Sequence, residues 1–267
     1  MAKGNLPACL NITLKHEGKY TNNPKDPGNW TGGKVGVGVL KGTNMGVAAH
    51  SFPHLDIKNL KEADVIPIYR DKYWSKVSGE ALPYGIDLAV FDYGVNSGPP
   101  RGVKALQAEL GEKVDGKAGV DTINAAARSN VKKTIQGICA RRMSFLRGLT
   151  TWNTFKGGWS RRVADIEAKA VVMWLSRGSG ATSAETTAVL KEEAQKADKT
   201  ASTQSKGAGG AAGGGGVAIG GDTAATGDIN WLLVGGIAAA VIVVAVVLIV
   251  KSRHNKERAK AYLAAVV

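Results

Sequence analysis

Aromatic residues are missing from a long stretch of this chain: none occurs between Trp174 and Trp231. The 6 Trp, 6 Tyr and 4 Phe are concentrated before it, so residues 175–230 are expected to bury no core of their own. The folded unit is therefore expected to end near residue 175, still long enough for one well-packed domain. Cysteine is scarce as well. Cys9 and Cys139 are too few for a metal site, and no zinc ligand set surrounds them. They read either as two buried thiols or as a single disulfide formed in an oxidising compartment. No run of seven or more apolar residues follows Met1, so no conventional signal peptide is expected. His16, His50 and His54 are not at zinc spacing, and Asp115-Gly116 lacks a calcium-loop ligand series. Gly36-Val37-Gly38 opens no helix, which argues against a dinucleotide site. Neither a metal nor an organic cofactor is implied.

Positive charge is in excess. Lys and Arg number 35 against 22 Asp and Glu, a net +13. Such a balance suits polyanions: nucleic acid, anionic lipid, or a bacterial wall with its phosphates and carboxylates. No helix-turn-helix, zinc-finger or aromatic–basic motif singles out nucleic acid, and none is expected as a partner. A plain basic surface is the competing reading.

The pattern along the chain is mainly helical. Leu6, Leu10 and Leu14 recur every fourth residue and predict a helix that Gly18 ends. Residues 21–46 are rich in Gly and Pro, and the alternation Lys34-Val35-Gly36-Val37-Gly38-Val39 predicts a short hairpin or irregular β segment there. Helices are predicted over 60–74 (Asn59 as cap, Pro67 as a kink), 86–95, 101–110, 120–128, 131–149 and 159–174. Tyr69, Tyr73 and Trp74 lie at helical spacing and read as core more readily than as a sugar platform. Residues 176–230 read as a flexible Gly/Ala-rich linker, with a short solvated helix within 182–198.

Trp231–Val250 then gives twenty consecutive uncharged residues, which as a helix span about 30 Å, the thickness of a bilayer's hydrocarbon core. Trp231 lies at one end, and Lys251, Arg253, Lys256, Arg258 and Lys260 follow the other. The positive-inside rule puts the basic tail, 251–267, in the cytoplasm and the N-terminal domain outside it, or across a virion membrane.

Two carboxyl groups carry the chemistry. Glu17 lies three residues past Leu14, on the same helical face, which turns it toward the interior. An inward-facing carboxyl is the kind that keeps its proton and acts as a general acid. Asp26 sits in Pro24-Lys25-Asp26-Pro27-Gly28, an exposed turn where a carboxylate stays ionised, and Thr31 adds a hydroxyl able to position a water or a sugar. One acid and one carboxylate are the division of labour in glycoside hydrolysis. The residues alone leave a blander reading open, with Glu17 a helix-end carboxylate and Asp26 an ordinary turn residue.

Glu17-Gly18-Lys19-Tyr20, Asn22-Asn23-Pro24, Asp26-Pro27-Gly28 and Thr31 resemble the signature of glycoside hydrolase family 108, bacterial and phage peptidoglycan muramidases. The resemblance continues through 68–74, Asp92-Tyr93-Gly94-Val95-Asn96-Ser97-Gly98 and 101–107, and then through 114–119, similar to that family's helical peptidoglycan-binding region. It covers about residues 8–175. It implies a mainly α, lysozyme-like fold (α+β) with a small β hairpin. The catalytic region would occupy 1–98 and the helical wall-binding region 99–175. It also implies cleavage of the MurNAc–GlcNAc bond of peptidoglycan, with Glu17 as acid and Asp26 and Thr31 assisting. Tyr20, Trp30 and Asn96 are the candidate substrate-binding residues. Lys19, Asn23 and Asn29 depart from the usual Gly, Asp and Gly of the signature, and the Asp-to-Thr spacing is one residue shorter than in phage-type lysozymes. The expectation is a membrane-anchored, endolysin-like muramidase. A lytic transglycosylase and a non-catalytic wall-binding anchor are the alternatives. Host lysis, a virion-associated role and cellular wall remodelling all suit the arrangement.

Overall fold

The computed structural model describes residues 1–213 and 231–266, with side chains left out at 210–213 and 231–242. The chain divides into two compact units, Met1–Thr182 and Ser183–Val267.

The first unit is mainly helical. It contains α1 (Leu6–Leu14), α2 (Glu62–Tyr69), α3 (Ile86–Ser97), α4 (Pro99–Leu110), α5 (Val120–Arg128), α6 (Val131–Arg147) and α7 (Trp152–Arg177). A two-stranded antiparallel hairpin, β1 (Thr43–Asn44) and β2 (Val47–Ala48), completes it. Every residue from Ile86 to Gly94 is buried, so α3 is the central helix, and α1, α4, α6 and α7 pack around it. A helix buried on every side needs such a ring of partners. Leu106 of α4, Ile135 and Ile138 of α6, and Val163, Ile166 and Val171 of α7 close the core, each 0% exposed.

The Leu6/Leu10/Leu14 spacing places α1 at its observed bounds, and Gly18 takes the left-handed φ of +79° that ends the turn after it. The 60–74 segment differs in detail. The cap of α2 is made by Asp64, whose carboxylate accepts the Lys61 N–H at 2.8 Å, while Asn59 bonds Asp56 instead. Beyond Pro67 the helix continues as a π-helical turn over Arg70–Trp74. The hairpin is displaced from the predicted place. Val35, Val37 and Val39 are exposed in an irregular loop closed by a Trp30–Leu40 bridge, and the strands lie just beyond it. Alternation without a face to bury specifies no strand. The strands turn instead through Met45 and Gly46, at φ +48° and +72°, the two left-handed positions of a type I′ hairpin.

Cys9 and Cys139 are buried thiols in separate surroundings, not a disulfide. Cys9 adjoins Asn5 and Asp87, whereas Cys139 packs with Met143, Leu146 and Val163.

The second unit pairs α8 (Ser183–Gly213) with α9 (Trp231–Ala264). Much of the segment predicted as a flexible linker is thus a long helix. Leu190, Ala194, Ala197, Ala201 and Ala208 form a buried, small-residue seam along it. Such a seam lets two backbones come close, and Tyr262 of α9 is fully buried in the same unit. Ser252 donates to the Ala201 carbonyl at 2.8 Å and Asn255 to Gln204 at 3.0 Å. The rest of the predicted linker, 214–230, lies outside the described residues. The predicted span Trp231–Val250 forms part of α9, and its side chains at 231–242 also lie outside them. Among the described residues no helix is long and apolar enough to cross a membrane.

Candidate active site

Glu17 stands one turn beyond α1, where its N–H donates to the Leu14 carbonyl at 3.1 Å. Its side chain is 19% exposed and is not alone in an apolar wall, as the helical face implied. Arg162 of α7 donates from Nη2 to Glu17 Oε1 at 2.6 Å. The same guanidinium grips Asp92 of α3 with two bonds, Nη2 to Oδ1 at 2.9 Å and Nε to Oδ2 at 3.1 Å. Arg142 of α6 donates to Asp92 Oδ2 at 2.6 Å from the other side. These groups form one network that ties Glu17 to three helices. Burial alone would push the Asp92 carboxyl up, but Arg142 and Arg162 outweigh it and hold it well below the usual carboxylate range. Burial works against the charge of Arg162 too, and Asp92 and then Glu17 reverse the effect.

The other wall of the Glu17 site comes from α2, the π turn and the hairpin. Tyr69 donates to the Met45 carbonyl at 3.0 Å and packs on Tyr73 and Phe91. Burial first, and the negative charge of Glu17 second, push both the Tyr69 and Tyr73 hydroxyls up, which keeps them as neutral donors. Gly46 fits where nothing larger does: a Cβ there would lie 2.4 Å from Tyr69 Oη and 3.2 Å from Glu17 Oε2. Glu17 Oε2 thus faces the exposed tip of the hairpin while Oε1 is held from behind.

The loop carrying Asp26 and Thr31 is built differently, on turns. Asp26 is exposed and its Oδ1 accepts the Gly28 N–H at 2.9 Å, capping a 3-10 turn over Pro27–Asn29. Its partner is not one of those that hold Glu17. Thr31 Oγ1 accepts the Val39 N–H at 2.9 Å, which ties the two limbs of the valine loop together. Asn29, at the position where the signature resemblance breaks, is fully buried and organises the lobe. It donates to the Asn23 carbonyl, accepts from Thr43 Oγ1 at 2.7 Å, and its own carbonyl takes the N–H groups of Lys41 and Gly42. Lys19 is exposed.

The three candidate substrate contacts are dispersed. The Tyr20 ring lies against Gly42, where a Cβ would come within 2.7 Å of it. Trp30 donates from Nε1 to the Pro24 carbonyl at 2.9 Å, which fixes the plane of a half-exposed ring beside the Asp26 turn. Asn96, near the end of α3, lines a cavity of about 670 Å³ together with His16, Trp159 and Arg162.

Sequence reasoning missed Asp92, Arg142, Arg162, Gly46 and the placing of Tyr69 and Tyr73 beside the acid. A signal existed for the ionic group. Asp92 is a charge inside the apolar run 86–95. Arg142 lies on the face of α6 that carries Ile135, Ile138, Cys139 and Leu146, all buried. Charges at core positions are kept only when paired.

Comparison with known proteins finds a family model and a solved structure similar to this chain. A family model described as Glycosyl hydrolase 108 matches residues 10–98. The solved structure of SagA from Brucella abortus is 33% identical, with a TM-score of 0.54, covering 66% of this chain and 98% of its own. No curated protein matches.

Proposed function

The chain belongs to the glycosyl hydrolase 108 family and is a glycoside hydrolase, and we propose that it cleaves the glycan strand of bacterial peptidoglycan with Glu17 as the general acid. The observation that carries this reading is the mounting of Glu17: Oε1 is fixed by Arg162 at 2.6 Å and Oε2 is turned toward the exposed hairpin tip. An acid must be held within hydrogen-bond reach of the oxygen it protonates, and one anchored oxygen leaves the other to meet substrate. Arg162 gives two of its three bonds to Asp92, so its charge is divided and not spent on Glu17 alone.

In this mechanism Glu17 protonates the oxygen between N-acetylmuramic acid and N-acetylglucosamine as the bond lengthens. Asp26, the exposed carboxylate across the loop, stabilises the positive charge that develops on the sugar ring or holds the attacking water. The Thr31 hydroxyl, already accepting from Val39, retains its own proton to donate to that water or to a sugar oxygen. Tyr20, Trp30 and Asn96 contact the strand. The net charge of +13 favours an anionic wall.

The test is clearing of a peptidoglycan suspension. Glu17→Gln should lower the rate by about 10²–10⁴-fold, the usual share of a general acid, with unfolding unchanged. Mass spectrometry of the wild-type digest should find reducing muramic ends. Anhydro ends would make the protein a transglycosylase, and wall pelleting without any cleavage would make it a binding protein.

Attachment to a bilayer through Trp231–Val250 belongs to the same proposal. Its support is the absence of charge over those twenty residues, the basic run that follows, and the exposure of Val243, Val244, Val246, Val247 and Ile249 on α9. The full chain should float with liposomes on a density gradient and a chain ending at residue 182 should not. Equal flotation of the two would sink the anchor.

A further inference from the structure

The cavity that Asn96 lines lies between the end of α1 and the first half of α7, and its wall includes His16, the chain neighbour of Glu17, and Arg162, which holds Glu17. Its charges do not balance. The Asp165 carboxylate accepts from His16 at 2.8 Å and from Lys169 at 2.7 Å, so that acid already serves two basic groups. Arg162 is taken by Asp92 and Glu17. Lys15 and Arg161 remain, both exposed and both on the cavity wall, with no acidic partner among the described residues. Trp159 forms another part of the wall. It is half-buried, seated on the Cys139–Met143–Leu146–Val163 cluster, and stacked beside Phe155 at 5.4 Å and Trp152 at 6.2 Å. A firmly seated aromatic face beside unspent cations matches a ligand with an apolar flank and a carboxylate.

The strand cut at Glu17 carries such a group. Muramic acid bears a lactyl ether whose carboxyl is either free or extended by a peptide with carboxylates of its own, whereas N-acetylglucosamine bears none. We propose that this cavity is a subsite for the carboxylate-bearing substituent of a muramic residue, with Lys15 and Arg161 binding the carboxylate and Trp159 supporting its apolar flank. The inference rests on the peptidoglycan reading above. It adds that the enzyme distinguishes muramic strands from neutral N-acetylglucosamine polymers through a charge pocket on the helical side of the acid, apart from the Asp26 loop.

Isothermal titration of the full chain carrying Glu17→Gln tests it, with and without the added pair Lys15→Glu and Arg161→Glu. Both added changes are at exposed positions and leave the core intact. Three ligands of equal sugar length are compared: peptide-bearing muramyl oligomers, the same oligomers stripped of peptide, and a neutral N-acetylglucosamine oligomer. The charge reversals should raise Kd for at least one muramyl ligand about tenfold or more and leave the neutral oligomer unchanged. Loss for the stripped strands alone assigns the pocket to the free lactyl carboxylate, loss for the peptide-bearing ligand alone assigns it to the peptide, and loss for both means that it accepts either carboxylate. Unchanged Kd for both muramyl ligands, or the same loss for the neutral one, overturns the proposal. Cleavage by the protein with Glu17 intact is measured separately. Binding that depends on Lys15 and Arg161 without any cleavage would keep the pocket and remove the role given to Glu17. Cleavage with charge-independent binding would do the opposite.

Discussion

Two aspartates of α3, five residues apart and both fully buried, are treated in opposite ways. Asp92 meets Arg142 and Arg162 and is held well below the usual carboxylate range. Asp87 meets neutral donors only: the N–H groups of Gly85 and Leu88 on Oδ1, Asn5 and Cys9 on Oδ2. Burial outweighs those bonds and pushes Asp87 up to about 6. Depth therefore does not decide the charge of a buried carboxyl; the partners do. The two ends of the helix serve different purposes accordingly. The Asp92 end converts a fixed negative charge into the position of Glu17. The Asp87 end closes the fold, joining Asn5 at the start of α1 to Arg177, which donates from the end of α7 to the Asn5 side-chain Oδ1 at 2.8 Å.

The sharpest way to break this contrast is Asp92→Asn. Losing that charge leaves the buried Arg142 without its carboxylate and Arg162 with Glu17 alone, and the cost should be about 3–5 kcal/mol in denaturant unfolding. Wall clearing should fall together with stability, because Glu17 loses the group that fixes Arg162. A variant within about 1 kcal/mol of wild type would mean that Asp92 does not organise the site.

A smaller effect separates the two aspartates by pH. The native state keeps a proton on Asp87 up to about pH 6, while the unfolded chain gives it up near 4. Between those values the native state binds more protons, so this contribution to stability falls as pH rises from about 4 to 6, by up to roughly 3 kcal/mol. The Asp92 contribution has the opposite sign. It is present above the ordinary carboxylate range and is lost as pH falls through and below it. Asp87→Asn should remove the slope between pH 4 and 6 while leaving the acid limb, measured by urea unfolding across pH. If the slope survives the substitution, another group causes it.

Some of this was readable in order along the chain. The leucine spacing placed α1, and the apolar run 86–95 placed the buried helix. The Gly/Pro-rich stretch marked the lobe opposite the acid. The hairpin itself was misplaced because Lys34–Val39 has strand-like alternation but nothing to cover its valines, whereas the true turn uses Met45-Gly46 in place of the familiar Asn-Gly. Asn29 looked like a defect in a glycine turn and is instead the buried hub of its loop. The α8 segment looked too poor in aromatics to pack, yet alanines at helical spacing gave it a seam against α9.

The sequence by itself determined the helical framework and the family and put Glu17 forward as the candidate acid, because periodicity and local motifs are properties of neighbouring residues. Only the tertiary structure decided what surrounds that acid. Arg162 lies 145 residues from Glu17 in the chain, and Arg142 lies 50 from Asp92. Pairings of that reach come from helices packing around α3, and burial then makes their charges count.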